Sequence, residues 1–107
     1  MKSIYKYPIN IHKEKFGVDG PITKILTVQM QHGTPCVWAE VDTDAPIRHF
    51  AVFPIGTGWD ISAISNFEKA TYLNTIQEFD GDLIWHMYYW ELTEPFSAIT
   101  KDYIASR

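Results

Sequence analysis

The sequence is poor in cysteine and in basic residues, and each shortage excludes a class of protein. Cys36 is the single cysteine, so no intramolecular disulfide can form and no second thiol offers zinc-ligand spacing. Lysine and arginine number 9 against 13 acidic residues, for a formal net charge of -4. Because nucleic-acid binding needs clustered cations, general binding of DNA or RNA is not expected. A lone cysteine fits a reducing cytoplasm.

Long hydrophobic runs are also missing. The first residues, "MKSIYKYPIN", contain no apolar segment followed by a small-residue cleavage site, so no secretory signal is predicted. No run approaches the length that spans a bilayer. We therefore expect a soluble protein of the cytoplasm that does not contact membranes.

Aromatic residues, by contrast, are abundant. They make up 15% of the 107 residues, in a chain that is 46% hydrophobic and 21% charged. This is a globular composition, and the length suits a single domain covering residues 1–107. Aromatic rings fill small cores and are enriched at interfaces. An excess of them favours a ligand pocket or a homo-oligomer.

Alternating apolar and polar residues predict several strands. The runs "SIYKYP", "ITKILTVQMQ", "CVWAEV" and "IRHFAVFPI" have the period of two of a half-buried strand. The second and third are joined by "HGTP" and predict a hairpin. Pro54 is expected to end the fourth run or to place it at a sheet edge. Residues 9–21 are typical of a short edge segment or a loop.

A second hairpin is predicted where "DGD" joins "TYLNTIQEF" to "LIWHMYYWEL", because Asp80-Gly81 is a strong turn signal. In the last run both faces are apolar or aromatic, with Leu83, Trp85, Met87 and Tyr89 opposed to Ile84, His86, Tyr88 and Trp90. This indicates a central strand covered on both sides. We expect the cover on the second face to come from a terminal helix and a neighbouring subunit.

Helical signals are short. Asp60 is a candidate N-cap for one or two turns, and Phe96, Ile99 and Tyr103 recur at helical spacing near the C-terminus. Together the patterns predict a mainly β (α+β) fold, a compact antiparallel sheet of five to six strands with a short C-terminal helix.

The order of these segments carries a resemblance. "IYKYP", "ILTVQMQHGTPCVWAEVD", "GTG" and "LIWHMYY" follow one another as in a family of small phage and prophage proteins of unknown function, which the first 90 or so residues resemble. The resemblance implies a phage-encoded, mainly β protein acting in the host cytoplasm, and it implies no activity. Family members usually have His-Pro after "GTG", where this chain has Trp59-Asp60, so a role tied to that histidine is not carried over.

The glycine pair at Gly56-Thr57-Gly58 is the first candidate site. The P-loop spacing with its lysine is absent, and position 61, where a dinucleotide fingerprint needs a third glycine, is Ile61. The segment is therefore either a turn that only glycine tolerates or a loop that a ligand approaches, with Trp59 as a stacking face.

Arg48 and His86 complete the candidate ligand-binding residues. The guanidinium of Arg48 either pairs with a carboxylate or binds a phosphate through two hydrogen bonds. In the second case, Arg48 together with residues 56–59 would form a small anion site. His86 is either a hydrogen-bonded core or interface histidine or a ligand contact. No catalytic residue, metal or cofactor is predicted, because Cys36 lies inside a strand and the histidines lack metal-ligand spacing.

Three functions remain. The first is a phage-encoded, non-enzymatic binding protein of the host cytoplasm, which sequesters a nucleotide-like signal or blocks a host defence protein. The second is a structural or assembly accessory of the virion, in which the rings pack subunit contacts. The third is a small hydrolase. In each case we expect a homo-oligomer.

Overall fold

The computed structural model describes residues 1–98, and these residues form mainly strands. The strands are β1 (Lys2–Pro8), β2 (Gly17–Gly20), β3 (Ile22–Gln31), β4 (Thr34–Asp42), β5 (Arg48–Gly56), β6 (Thr71–Glu78) and β7 (Leu83–Leu92). They pair antiparallel in two sheets, of order β1-β4-β3 and β2-β5-β7-β6. The mainly β, antiparallel prediction is confirmed, but the single sheet of five to six strands is wrong, since seven strands form two sheets. Alternation identifies strands and says little about which of them share a sheet.

The core lies between the two sheets. Fully buried apolar side chains come from both, among them Val28, Val37 and Val41 from the first sheet and Val52 and Met87 from the second. Burying a side chain of this size stabilises the fold by about 1.5 to 3 kcal/mol. The alternation read from the sequence thus places one face of each sheet against the other, as in a sandwich.

The hairpin of β3 and β4 forms as predicted. Gln31 pairs with Thr34, and the two residues between them, His32 and Gly33, have φ of 50° and 80°. Positive φ at both central residues is the geometry of a type I′ turn, whose twist matches that of the flanking strands.

Pro54 does not end its strand. It lies inside β5, which is flanked by β2 and β7, and it pairs with Met87. The partners of β2 on β5 run only from Arg48 to Ala51, so Pro54 lies beyond the reach of β2. Its missing N–H therefore costs the ladder no bond on that side.

Part of the second face of β7 is covered by the connection between β5 and β6. The β5–β6 connection contains two 3₁₀ turns, Ile61–Ala63 and Phe67–Lys69, and Phe67 packs on Tyr88 with ring centroids 4.9 Å apart. As predicted, Asp60 caps the first turn, accepting from the Ser62 N–H at 3.0 Å.

The short C-terminal helix is not confirmed. Residues Phe96–Ala98 form a single 3₁₀ turn, and Ile99 and Tyr103, which belonged to the predicted helical face, lie outside the described residues. Phe96 packs instead on Phe16, at 5.9 Å between centroids. Within residues 1–98, no helix has both the length and the apolar character needed to cross a membrane.

Candidate functional site

The Gly56-Thr57-Gly58 segment is a turn at the end of β5. The Trp59 N–H donates to the Gly56 carbonyl at 3.1 Å, and Gly58 has φ of 87° while Thr57 stays outside the positive-φ residues. Positive φ at the third position alone is the pattern of a type II turn, which requires glycine there. The backbone thus reverses direction here and delivers Trp59 to the end of the sandwich.

The absence of a side chain at Gly56 also leaves space for the indole of Trp59. A Cβ atom at Gly56 would lie 2.6 Å from Cε2 and Nε1 of the indole, so the ring rests directly on the Gly56 backbone. Trp59 also meets Trp85 edge to face, with centroids 5.8 Å apart. The indole remains 38% exposed. The turn therefore presents a fixed aromatic surface to solvent.

Beside the two tryptophans lies Glu78, a carboxylate that is only 7% exposed. Its Oε1 accepts from the Trp85 indole N–H at 2.8 Å and lies 3.0 Å from His12 Nε2, while Oε2 is 3.2 Å from the same nitrogen. A buried carboxylate is tolerated when such donors satisfy it. Because Nε2 of His12 faces Glu78, Nδ1 of this half-exposed ring lies on the side away from the carboxylate.

The backbone around this cluster adopts conformations that are rare for ordinary residues. Phe79 and Asp80 have φ of 52° and 54°, and Glu14, next to His12 and Lys13, has φ of 53°. Left-handed backbone is a marked outlier for a bulky residue such as Phe79, whose side chain is 64% exposed. Strained residues of this kind concentrate at ligand sites. All three residues lie on the two loops that meet at Glu78.

Two cavities lie at this end of the sandwich, and a third extends from the loop after β1 along β2. The glycine-turn cavity, of about 250 Å³, is lined by Gly56, Thr57 and Trp59 together with residues 82–85. The tryptophan cavity, of about 310 Å³, shares Trp59 and Trp85 with it and adds residues 11–14. The large cavity, of about 730 Å³, shares Lys13 and Glu14 with the tryptophan cavity. Each neighbouring pair of cavities therefore has lining residues in common.

Arg48 is not part of this end. It begins β5, whereas Gly56 ends it, and eight residues of strand span roughly 26 Å. Its Nε and Nη2 donate to Glu91 at 2.8 Å each, and Nη1 donates to the Ile22 carbonyl at 3.0 Å. The hydrogen bond to Glu91 raises the pKa of Arg48. The guanidinium therefore has the carboxylate partner that was the alternative to phosphate binding, and it does not reach the glycine turn.

His86 meets the turn, but from the opposite face of β7. Its Nε2 lies 2.7 Å from Thr57 Oγ1, and its Nδ1 lies 3.0 Å from Thr75 Oγ1. The Tyr72 hydroxyl extends this chain, 2.7 Å from Thr75 Oγ1. His86 thus ties the glycine turn to β6 and β7, and its position supports the turn rather than lining the tryptophan cavity.

Within residues 1–98, no cluster of three or more His, Cys, Asp or Glu side chains is placed to hold a metal ion. Cys36 is buried, with its Sγ 3.6 Å from the Thr34 carbonyl. The chemistry that the end of the sandwich presents is aromatic stacking, an oriented imidazole and nearby lysines.

Of the predicted site residues, the structure brings Gly56, Thr57, Gly58 and Trp59 together, with His86 behind them. The prediction missed His12, Glu78 and Trp85. One signal was present, since Glu78 continues the alternate positions of the buried Ile76 along β6. An acidic residue in register with a core position indicates a buried, partnered carboxylate.

The chain matches, over residues 1–96, the family described as "Domain of unknown function (DUF7352)". Neither a search of the curated proteins nor a search of the solved structures found a match.

Proposed function

This chain belongs to the DUF7352 family of unknown function, and from that premise we propose that it is a non-enzymatic binding protein. It takes a ring-bearing, nucleotide-like ligand at the Trp59 end of the sandwich. We further propose a phage origin and action in the host cytoplasm, where a small protein can act stoichiometrically by withdrawing a signalling nucleotide.

The observation that carries the proposal is the position of Trp59. Its indole rests on Gly56, meets Trp85 edge to face and borders two cavities. A ring held in this way, yet more than a third exposed, supplies a preorganised stacking surface. Stacking of a base on an aromatic side chain contributes about 1 to 3 kcal/mol. The His12 imidazole, oriented by Glu78, adds a directional polar contact beside the rings.

Isothermal titration calorimetry against a panel of cyclic nucleotides and ADP-ribose tests the proposal. Binding is expected for the wild-type protein, and W59A should weaken it at least about tenfold, in line with the loss of one stacked ring. Y5A is the matched control, since Tyr5 has the same 38% exposure but lies on β1. Absence of heat with every member of the panel would overturn the nucleotide proposal and favour a host protein as the target.

We also propose that the protein is a homodimer or larger homo-oligomer. Support comes from Ile4 and Phe79, which are 60% and 64% exposed, and from β1, which lies at the edge of its sheet. Ile4 lies on this edge strand, where exposed apolar groups are typical of subunit contacts, and Phe79 lies on the turn between β6 and β7. Light scattering at micromolar concentration should give a multiple of 12.4 kDa, and the monomer mass would contradict this.

Finding the chain in purified virions by mass spectrometry would favour the virion role instead.

A further inference from the structure

The His12 imidazole lines the tryptophan cavity, and its contact with Glu78 fixes which ring nitrogen carries the proton. Nε2 lies 3.0 and 3.2 Å from the two oxygens of the Glu78 carboxylate. A carboxylate only accepts hydrogen bonds, so in the neutral ring the proton is held on Nε2. The other nitrogen, Nδ1, is then an acceptor, and it lies on the side of the ring away from Glu78.

Both members of this pair are held in place by further hydrogen bonds. Glu78 Oε1 accepts from the Trp85 indole N–H at 2.8 Å, and the carboxylate is only 7% exposed. On the other side, Asn10 Oδ1 accepts from the backbone N–H groups of His12 and Lys13 at 3.1 and 3.0 Å. The position of the imidazole and the identity of its acceptor nitrogen are therefore fixed before a ligand arrives.

From this arrangement we infer that His12 selects the base of the ligand. The base that stacks at Trp59 carries an amino group, and this group donates a hydrogen bond to His12 Nδ1. Adenine and cytosine offer such a group, whereas thymine has a carbonyl oxygen in its place. The inference rests on the proposed function and names the specificity-determining residue of the same site.

The positions of the rings support this role. Trp59 and His12 each meet Trp85, with centroids 5.8 and 6.3 Å apart and interplanar angles of 75° and 79°. Both also line the same cavity, and within the described chain its lining includes His12 but not Glu78. A ligand that stacks on Trp59 therefore meets the imidazole rather than the carboxylate behind it.

The test compares adenosine with purine riboside, which lacks only the amino group, by calorimetry on the full-length protein. It is run at about pH 8, where a histidine side chain is ordinarily neutral. Wild type should bind adenosine about fivefold more tightly, the ratio that one hydrogen bond of ordinary net strength gives. H12A should bind adenosine no better than purine riboside.

E78Q separates the position of the proton from the mere presence of the imidazole. The amide oxygen of the variant can keep the Trp85 indole N–H, while its NH₂ group turns a donor toward His12 Nε2 and favours the proton on Nδ1. The preference for adenosine should then fall toward one, although His12 is still present. D80N removes an exposed carboxylate two residues further along the chain and should keep the preference of wild type.

The outcomes separate this inference from the proposed function. Equal binding of the two nucleosides by wild type, or an unchanged preference in H12A, would overturn the selection by His12, while W59A still decides on the stacking site. An unchanged preference in E78Q would overturn the assignment of the proton to Nε2. If neither nucleoside binds, the inference falls, and the nucleotide panel decides separately whether the stacking site stands.

Discussion

The side-chain amide of Asn74 takes the place of a backbone peptide opposite Val28. The Val28 N–H donates to Asn74 Oδ1 at 2.9 Å, and Asn74 Nδ2 donates to the Val28 carbonyl at 2.6 Å. Val28 belongs to β3, at one edge of the first sheet, and Asn74 belongs to β6, at one edge of the second. One side chain therefore satisfies both backbone polar groups of a buried residue on the side of β3 that has no strand partner.

Replacing Asn74 by Ala should destabilise the protein by about 1 to 3 kcal/mol, because the N–H and C=O of the fully buried Val28 would lose their partner. Urea unfolding followed by tryptophan fluorescence measures the change in the free energy of unfolding. Q77A is the matched control, since Gln77 is an exposed polar residue of the same strand, and it should change stability by less than about 0.5 kcal/mol. Equal effects of the two variants would show that the amide bonds contribute nothing beyond strand propensity.

The strands could be predicted because they depend on short-range patterns. The hairpin of β3 and β4, the hairpin at Asp80-Gly81 and the cap at Asp60 each follow from a few neighbouring residues. Asn74 could not be predicted in its role, since nothing in "TYLNTIQEF" tells an interior asparagine from a solvent-facing one. Its partner, Val28, lies 46 residues away.

The residues of the candidate site likewise fall into some that the sequence predicts and others that it does not. The glycine turn and Trp59 are local features, and the sequence indicated them. His12 and Glu78 are 66 residues apart, and they meet only because the loop after β1 and the hairpin of β6 and β7 reach the same end of the sandwich. The predicted proximity of Arg48 to the glycine turn is wrong for the opposite reason. Arg48 and Gly56 are only eight residues apart in sequence, but the strand between them is extended, so they lie at opposite ends of β5.

Glu78 should contribute to stability through the donors that it satisfies. E78A leaves the Trp85 indole N–H, now bonded at 2.8 Å, without its acceptor and should cost about 1 to 3 kcal/mol. E78Q keeps an acceptor oxygen for Trp85 and should cost less. Urea unfolding of both variants beside D82A, an exposed acid on the same hairpin, measures the difference. A loss in D82A as large as in E78A would contradict a specific role for the buried carboxylate.

The Arg48–Glu91 pair should make stability depend on acid pH. The Arg48 hydrogen bonds lower the pKa of Glu91 from its ordinary value, so the folded state holds the proton less tightly than the unfolded chain. This stabilisation is present above the unfolded pKa and is lost as pH falls through the lowered folded pKa. Because both side chains are more than a third exposed, the contribution should stay within about 1 kcal/mol.

Urea unfolding at pH 7 and at pH 3 checks this expectation for wild type and E91Q. Wild type should lose more stability on acidification than E91Q does, because the variant has no proton to take up at position 91. E68Q, an exposed carboxylate on the second 3₁₀ turn, serves as the control and should follow wild type. If E91Q and wild type lose equal stability, the pair makes no contribution that depends on the charge of Glu91.

Gly56 should prove necessary for the position of Trp59 rather than for the turn itself. In G56A the new methyl group would lie 2.6 Å from the indole, a separation that requires the ring to move, since φ at Gly56 is not positive. We expect the tryptophan emission to shift and any ligand affinity to fall toward that of W59A, while the far-ultraviolet dichroism stays unchanged. G33A provides the comparison, because Gly33 has φ of 80° and an added Cβ there would have no atom within 4 Å. It should cost stability through backbone strain of about 1 kcal/mol without altering the emission or the binding. A G56A protein with unchanged emission and binding would mean that Trp59 is held by Trp85 and its other contacts, and not by the glycine beneath it.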